Sequence, residues 1–499
     1  MQSLRCIASD VFLAAILFMH FSMSGAAAQE PKGKQAQQES NLDLLNRWGK
    51  QPEMVQELYT AAFRVLASNP TATFVDVSRD TAVQRLCLQN NIRHLGGPLL
   101  GNIHPHGATL WLRTLKPGRV EVRVPTQKGE NRYGPVHSTS KSDLSVVVKI
   151  TGLEPATRYP YRVLVDGHDI SLPDNAAITT PAADAQPNQW RLAFGSCFHR
   201  WGLGNEQQVR QIIRREPAAM LLIGDMAVQD RNNHLGLHRA DYLLRDFFPA
   251  WKNLVASIPV YATWDDHDYF ANDKAGIPEG YTAQDRWNVR KIFTQSWNNP
   301  RYGFGDKRGG LFFRTRIGPC DIIMIDERFF RENREGSLLG EPQMQWLEEQ
   351  LLDCKGPFIV LSSGTMWSDY VSNGKDSWGR WDPQGREKLF RAIEESRIPG
   401  VLFISGDRHG ARGFRIPRPS GYQFYEFEVA GLGGRSGPPV SDPAWQTQLY
   451  GVADVYVFGE FAFDTTVADP RVTFRLIRED GTVLYELPLT RSQLTPSAL

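Results

Sequence analysis

Five short apolar runs in this 499-residue chain each stop at residues that can carry chemistry or bind an anion. Arg191-Leu-Ala-Phe-Gly-Ser ends at Cys197, Met220-Leu-Leu-Ile-Gly at Asp225, and Tyr261-Ala-Thr-Trp at Asp265-Asp266-His267-Asp268. Phe358-Ile-Val-Leu runs into Ser362-Ser363-Gly364-Thr365, and Val401-Leu-Phe-Ile-Ser-Gly into Asp407-Arg408-His409. Unalternating runs of this length predict strands buried on both faces. A helix over 343–352, with Met344, Leu347 and Leu351 on one face, lies between two of them. Ligands of such α/β sheets gather at the carboxyl ends of the strands. One rim therefore collects carboxylates, imidazoles and a thiol. Like charges at short range raise one another's pKa, so bound cations are expected there.

The rest of the chain frames this core. Residues 11–23 form an apolar stretch after Arg5, and Ala26-Ala27-Ala28 fits a small-residue cleavage site. We expect a signal peptide over 1–28 and a secreted or periplasmic protein, with an uncleaved anchor as the alternative. Residues 29–94 read as a polar leader followed by helices: Leu42, Leu45 and Trp48, then Val55, Leu58, Tyr59, Ala62, Phe63 and Leu66, recur at helical spacing. Ser78 with Asp80 before Val83, Leu86 and Leu88 marks a further helix start. From Gly96 the period becomes two. Strands around 109–113, 120–124 and 145–150, with Tyr159 placed like a tyrosine corner, predict a fibronectin- or immunoglobulin-like β-sandwich over 95–182. A catalytic α/β domain is expected over 189–485. With 56 basic against 55 acidic residues the net charge is only +1, so a nucleic acid is not the expected main partner. Cys87, Cys197, Cys320 and Cys354 remain after signal cleavage, and their pairing stays open.

Gly224-Asp225, Trp264-Asp-Asp-His-Asp268 and Ser405-Gly-Asp-Arg-His409 resemble blocks of the PhoD-like (alkaline phosphatase D) branch of the metallophosphoesterases. Phe194-Gly-Ser-Cys197, Tyr269-Phe-Ala-Asn-Asp273, Ile325-Asp-Glu-Arg328 with Arg331, and the segment 338–347 follow in the order of that branch. The resemblance implies a four-layer αββα core with two or more metal ions at its rim, iron and calcium before manganese, zinc or magnesium. It implies Cys197, Asp225, Asp266, Asp407 and His409 as ligands, with Asp225 bridging, and Asn272 on the calcium side. Carboxylates suit hard cations and a thiolate a softer one. Two features depart from the branch. Val228 stands where many relatives carry a tyrosine, and the fourth strand ends in Ser-Ser-Gly-Thr instead of histidine.

The expected activity is hydrolysis of phosphate monoesters or diesters. Metal-activated water attacks phosphorus in line, Arg328 offsets charge on the phosphoryl oxygens, and His267 protonates the leaving oxygen as general acid. Competing readings are a phosphodiesterase or phospholipase-D-type enzyme, and a surface-binding protein with a degenerate metal site. Bland roles compete as well. Arg328 and Arg331 suit ion pairs that hold a loop. Trp367, Trp378 and Trp381 suit loop packing, with stacking on a substrate as the alternative. His199, His234 and His238 have no matched role and read as surface histidines.

Overall fold

A computed structural model describes residues 40–497 except 128, 185, 332–335, 371–376 and 436. The expected signal peptide and nearly all of the polar leader lie outside the described residues. No described helix is long and apolar enough to cross a membrane.

The five apolar runs become strands, and their burial explains the missing alternation. Ala219–Ile223, Phe358–Ser362 and Val401–Ser405 are buried at every position. They fall into two mixed sheets. In the six-stranded sheet Val260–Thr263, Ala219–Ile223 and Gln189–Gly195 run parallel, followed by antiparallel Val457–Asp464, Arg471–Arg478 and Val483–Thr490. In the seven-stranded sheet Cys320–Met324, Phe358–Ser362, Val401–Ser405 and Gln423–Ala430 run parallel, flanked by Phe313–Ile317 on one edge and Gly410–Pro417 with Gln448–Val452 on the other. Aromatic rings join the sheets: Phe427 of the second packs against Phe461 and Phe474 of the first. The Val483–Thr490 strand continues beyond 485. It is a half-exposed edge strand, and little periodicity betrays it in sequence.

Residues 94–179 form antiparallel sheets: His94–His104, Gly107–Thr114 and Ser145–Thr151 in one, and Gly129–His137, Arg119–Thr126, Arg162–Val165 and His168–Asp169 in another. The Tyr159 hydroxyl accepts a hydrogen bond from the Glu154 N–H at 3.0 Å. These sheets lean on the core through buried polar contacts. Asn298 Nδ2 donates to the Leu99 and Thr109 carbonyls, and the Tyr261 hydroxyl accepts from the Ile103 N–H.

The helices Asn41–Asn46, Glu53–Ser68, Phe74–Arg79 and Thr81–Gln89 fall in the stretch with helical spacing, and Asp80 caps the last of them. Asp143 ties three segments together. Its carboxylate accepts from the Phe74 N–H at 2.8 Å and from Arg239 Nε at 2.5 Å, and lies 3.8 Å from Arg113 Nη1. Burial brings the Arg113 guanidinium down to about 10, and the carboxylate compensates part of that cost. Removing one partner of such a pair strands the other charge in the interior. Asp143→Ala is therefore expected to lower unfolding free energy by about 3–5 kcal/mol. Urea titration measures this, and a loss under 1 kcal/mol would contradict the network.

Candidate metal centre

Strand ends deliver the site. After Gln189–Gly195 the chain enters Cys197 and His199. After Ala219–Ile223 it turns through Gly224 into Asp225, and after Val401–Ser405 it reaches Asp407 and His409. These five side-chain-bearing residues all have positive φ: 57° at Cys197, 47° at His199, 56° at Asp225, 73° at Asp407 and 52° at His409. Left-handed backbone is unfavourable for residues with a Cβ and concentrates at functional sites. Gly224 makes the approach possible, because a Cβ there would stand 2.4 Å from the Asp265 Cβ.

The side chains converge. Ligand atoms of Asp225, Asp265, Asp266 and Asp407 all lie within 4.8 Å of one another, as do those of Cys197, His199 and His409, and those of Asp225, Asp266 and His267. Asp225 stands at the junction. Its Oδ2 is 3.6 Å from Cys197 Sγ and 3.8 Å from His199 Nε2, while its buried Oδ1 has no hydrogen-bond partner. Burial, then the carboxylates of Asp266, Asp268 and Asp407, push the Asp225 carboxyl well above the usual range, against the pull of His267. Burial and Asp225 push the Cys197 thiol up as well. Burial holds His199 far below its normal value and brings His409 down to about 4, each reinforced by neighbouring histidines. The set fits cations: buried anionic and lone-pair donors share one place, and protein donors do not satisfy them all.

His267 sits at the edge of the cluster. Its Nδ1 is 2.7 Å from Asp230 Oδ1, and a carboxylate only accepts, so Nδ1 carries the proton. Burial opposes charging the ring, but Asp225, Asp230 and Asp266 outweigh it and lift the imidazolium to about 11. Asp266 is held by the backbone N–H of His267 at 3.0 Å and of Asp273 at 2.6 Å. Asp268 accepts from the N–H groups of Met226 and Ala227 and so joins the Asp225 loop to its own.

Several side chains occupy places the sequence does not reveal. Arg328 is fully buried and pairs with Asp265, with Asp266 Oδ1 at 3.9 Å; these are the contacts of a residue that holds a loop. Arg331 stacks on the Trp381 ring at 3.8 Å. Asn272 is exposed on the neighbouring loop, where its N–H donates to Asp230 and its amide to Asp273. The Ser-Ser-Gly-Thr turn is fastened by buried Glu327, which accepts from Ser363 Oγ and the Thr365 N–H. Trp367 and Trp378 stack in the core at 4.9 Å, which is packing. His199 and His238 are buried, contrary to the surface reading. His238 Nε2 bonds the Asn232 carbonyl, and His199 is part of the centre. The Cys-x-His spacing at 197–199 is the one sequence signal for His199; Asp265 ends the same apolar run as Asp266 but the resemblance assigns it no role, and Gln229 and Asp230 carry no signal. Cys87, Cys197, Cys320 and Cys354 are all free thiols.

The helical segment braces this centre. Asn41 Nδ2 donates to Asp241, and Asp241 accepts from Arg231 Nε and the Gln229 N–H. Trp48 Nε1 donates to the Trp201 carbonyl at 2.6 Å.

Comparison with known proteins agrees with this geometry. Residues 192–451, more than half of the chain, match the PhoD-like phosphatase family, and residues 92–183 match a domain of unknown function (DUF7800). A search of curated proteins finds no match. Among solved structures, one described as PhoD superposes with a TM-score of 0.62 at 18% identity, over 78% of this chain and 92% of that one. The purple acid phosphatase PPD1 from yellow lupin (Lupinus luteus) seeds superposes with a TM-score of 0.60 at 12% identity, over 81% and 77%. Strand-end ligands, charge crowding and family match together place the chain in the PhoD-like phosphatase family, as a metal-dependent phosphoric ester hydrolase.

Proposed function

We propose that this protein is an exported phosphatase or phosphodiesterase acting on small phosphate esters, with Cys197, Asp225, Asp266, Asp407 and His409 holding at least two metal ions. The observation that carries the reading is the convergence of these donors around Asp225. When bound, the ions lower the pKa of water and offset charge on the phosphoryl oxygens. We read residues 1–28 as the signal peptide, 95–182 as a fibronectin- or immunoglobulin-like module, which the Tyr159 contact supports, and 189–485 as the catalytic core of αββα type.

The chain's own residues have distinct tasks. Asp225 contacts both donor sets and so suits a bridging position. Arg328 steadies Asp265, and through it the Asp266 loop, from beneath; its burial argues against direct contact with the ester. Asn272 is retained as an outer ligand on the oxygen-rich side. His267 keeps its Nδ1 proton on Asp230 and presents Nε2 as the acid for the leaving oxygen. The carboxylate field that raises its pKa weakens once Asp225 and Asp266 are engaged by cations, which brings the imidazolium toward the range where it gives up a proton.

Asp225→Asn is expected to abolish phosphate release from a nitrophenyl monoester and its bis-ester while circular dichroism stays unchanged; turnover within tenfold of wild type would sink the reading. The ratio of the two wild-type rates assigns the monoester or diester class. His267→Ala is expected to slow poor leaving groups by about 10²–10⁴-fold and good ones far less. Equal losses across a leaving-group series would remove the acid role.

Metal binding is expected to release protons near pH 7, because the Cys197 thiol and Asp225 carboxyl are held above their ordinary values and must deprotonate to ligate. Calorimetry in buffers of different ionisation enthalpy counts them. The metal-free fold binds more protons at Asp225 and Asp265 than the unfolded chain, in which such groups titrate near 4. The contribution of these two carboxyls to stability is therefore full below about pH 4 and is lost as pH rises through their raised values, whereas the depressed His199 and His409 contribute with the opposite sign. A metal-free Asp225→Asn variant whose thermal melts keep the wild-type pH slope, with no proton release on metal binding to wild type, would contradict the assignment.

A further inference from the structure

His199 is the buried donor that the phosphoesterase reading does not use. It is 1% exposed, its Nε2 has no hydrogen-bond partner, and that atom lies 3.8 Å from Asp225 Oδ2. Its other nitrogen is committed. His199 Nδ1 is 2.8 Å from Gln229 Oε1, and the Gln229 amide nitrogen is 3.2 Å from Asp230 Oδ2. The amide oxygen faces His199, while the amide nitrogen lies between Asp230 Oδ2 and His267 Nδ1, the latter 2.9 Å away. Nδ1 therefore carries the proton, and Nε2 presents a lone pair to the cluster. This is the outer-sphere arrangement that orients metal-bound histidines. The ring plane is also fixed, because Trp201 stacks on it at 4.4 Å with planes 22° apart. Arg435 covers the Trp201 ring at 3.6 Å, and Trp48 anchors the Trp201 carbonyl. Val228, buried and apolar, offers no donor on the Asp225 loop.

We propose that His199 is a metal ligand, and that with Cys197 and His409, bordered by Asp225, it forms a sulfur- and nitrogen-rich subsite for a borderline-soft divalent ion of the zinc class. The proposal rests on the phosphoesterase reading and specifies one of its two sites. Thiolate and imidazole donors select zinc, cobalt or ferrous ions, whereas calcium and magnesium take oxygen. Zinc bonds of about 2.0–2.3 Å set tetrahedral donors roughly 3.3–3.8 Å apart. The separations from Asp225 Oδ2 to Cys197 Sγ, 3.6 Å, and to His199 Nε2, 3.8 Å, fall within that span. The oxygen-only group of Asp225, Asp265, Asp266 and Asp407 remains for a hard cation. The two subsites thus differ in kind and share one carboxylate.

The test is cobalt substitution of the full chain, read by absorption and by competition for free metal. Wild type is expected to take up cobalt with a near-ultraviolet thiolate-to-cobalt band and visible bands of low-coordinate cobalt. His199→Gln should weaken cobalt and zinc affinity at that subsite by more than 100-fold and shift the visible bands. Gln229→Leu keeps the ring but removes its orienting acceptor, and should weaken affinity about 10–100-fold, with recovery in Gln229→Glu. Calcium binding should be unchanged in both. Unaltered cobalt bands and affinity in folded His199→Gln, with wild type hydrolysing esters, would overturn this inference alone. A wild type that binds no cobalt and releases no phosphate would overturn the underlying reading with it.

Discussion

The crowding of buried anions at one rim governs this molecule. Ligand atoms of four carboxylates lie within 4.8 Å of one another. At an effective dielectric of about 20, each ionised pair at that separation repels by about 3 kcal/mol. Such a cluster favours protons, positive charge or cations close by. Asp225 and Asp265 are pushed to high pKa values, Arg328 is buried against Asp265, and His267 is drawn to its charged form. The arrangement is hard to explain as a product of packing alone.

The surrounding structure keeps this repulsion from pushing the loops apart. Five left-handed residues, each costing of order 1 kcal/mol or more, hold the donors inward, and the two sheets beneath them share one aromatic core. Asp268 and Glu327 collect backbone N–H and hydroxyl donors and fasten the loops around the centre. The helical segment braces the same place from outside through Asn41 and Trp48. Residues 41–89 are thus part of the support of the centre, a role that their amphipathic spacing does not express. Their tie to Asp143 explains why a residue far along the chain from the ligands is expected to matter for stability.

Much of the core was legible before any coordinates. A run such as Met220-Leu-Leu-Ile is buried on both faces and so leaves no alternation, and the polar residue that ends it marks the rim. The runs point to Cys197, Asp225, Asp265 to Asp268 and Asp407 to His409; the resemblance singles out Cys197, Asp225, Asp266, Asp407 and His409 among them, and the fold brings these side chains to one rim. Edge strands were not legible. Val483–Thr490 and Gly129–His137 are exposed over much of their length, and the pattern that reports burial is weak there. Of the two roles expected for Arg328, on the phosphoryl oxygens or in an ion pair that holds a loop, its contact with Asp265 inside the protein is that of the second; charge alone does not tell which face of a strand-end loop an arginine takes. His238 was expected on the surface but lies in the interior, because the Asn232 carbonyl satisfies its polar nitrogen.

Sequence by itself determined which residue types end the strands, and hence that cations are expected at one rim; phosphate chemistry came only with the resemblance of those blocks to the PhoD-like branch. Period and composition are local properties, and each strand writes its own. Only the tertiary structure decided which donors meet. His199 joins Cys197 and His409, Gln229 sets its tautomer, Asp265 goes to Arg328, and Asp230 takes His267. Those pairings connect loops that sequence keeps up to about two hundred residues apart. They follow from left-handed turns and sheet order, neither of which leaves a periodic trace in the chain.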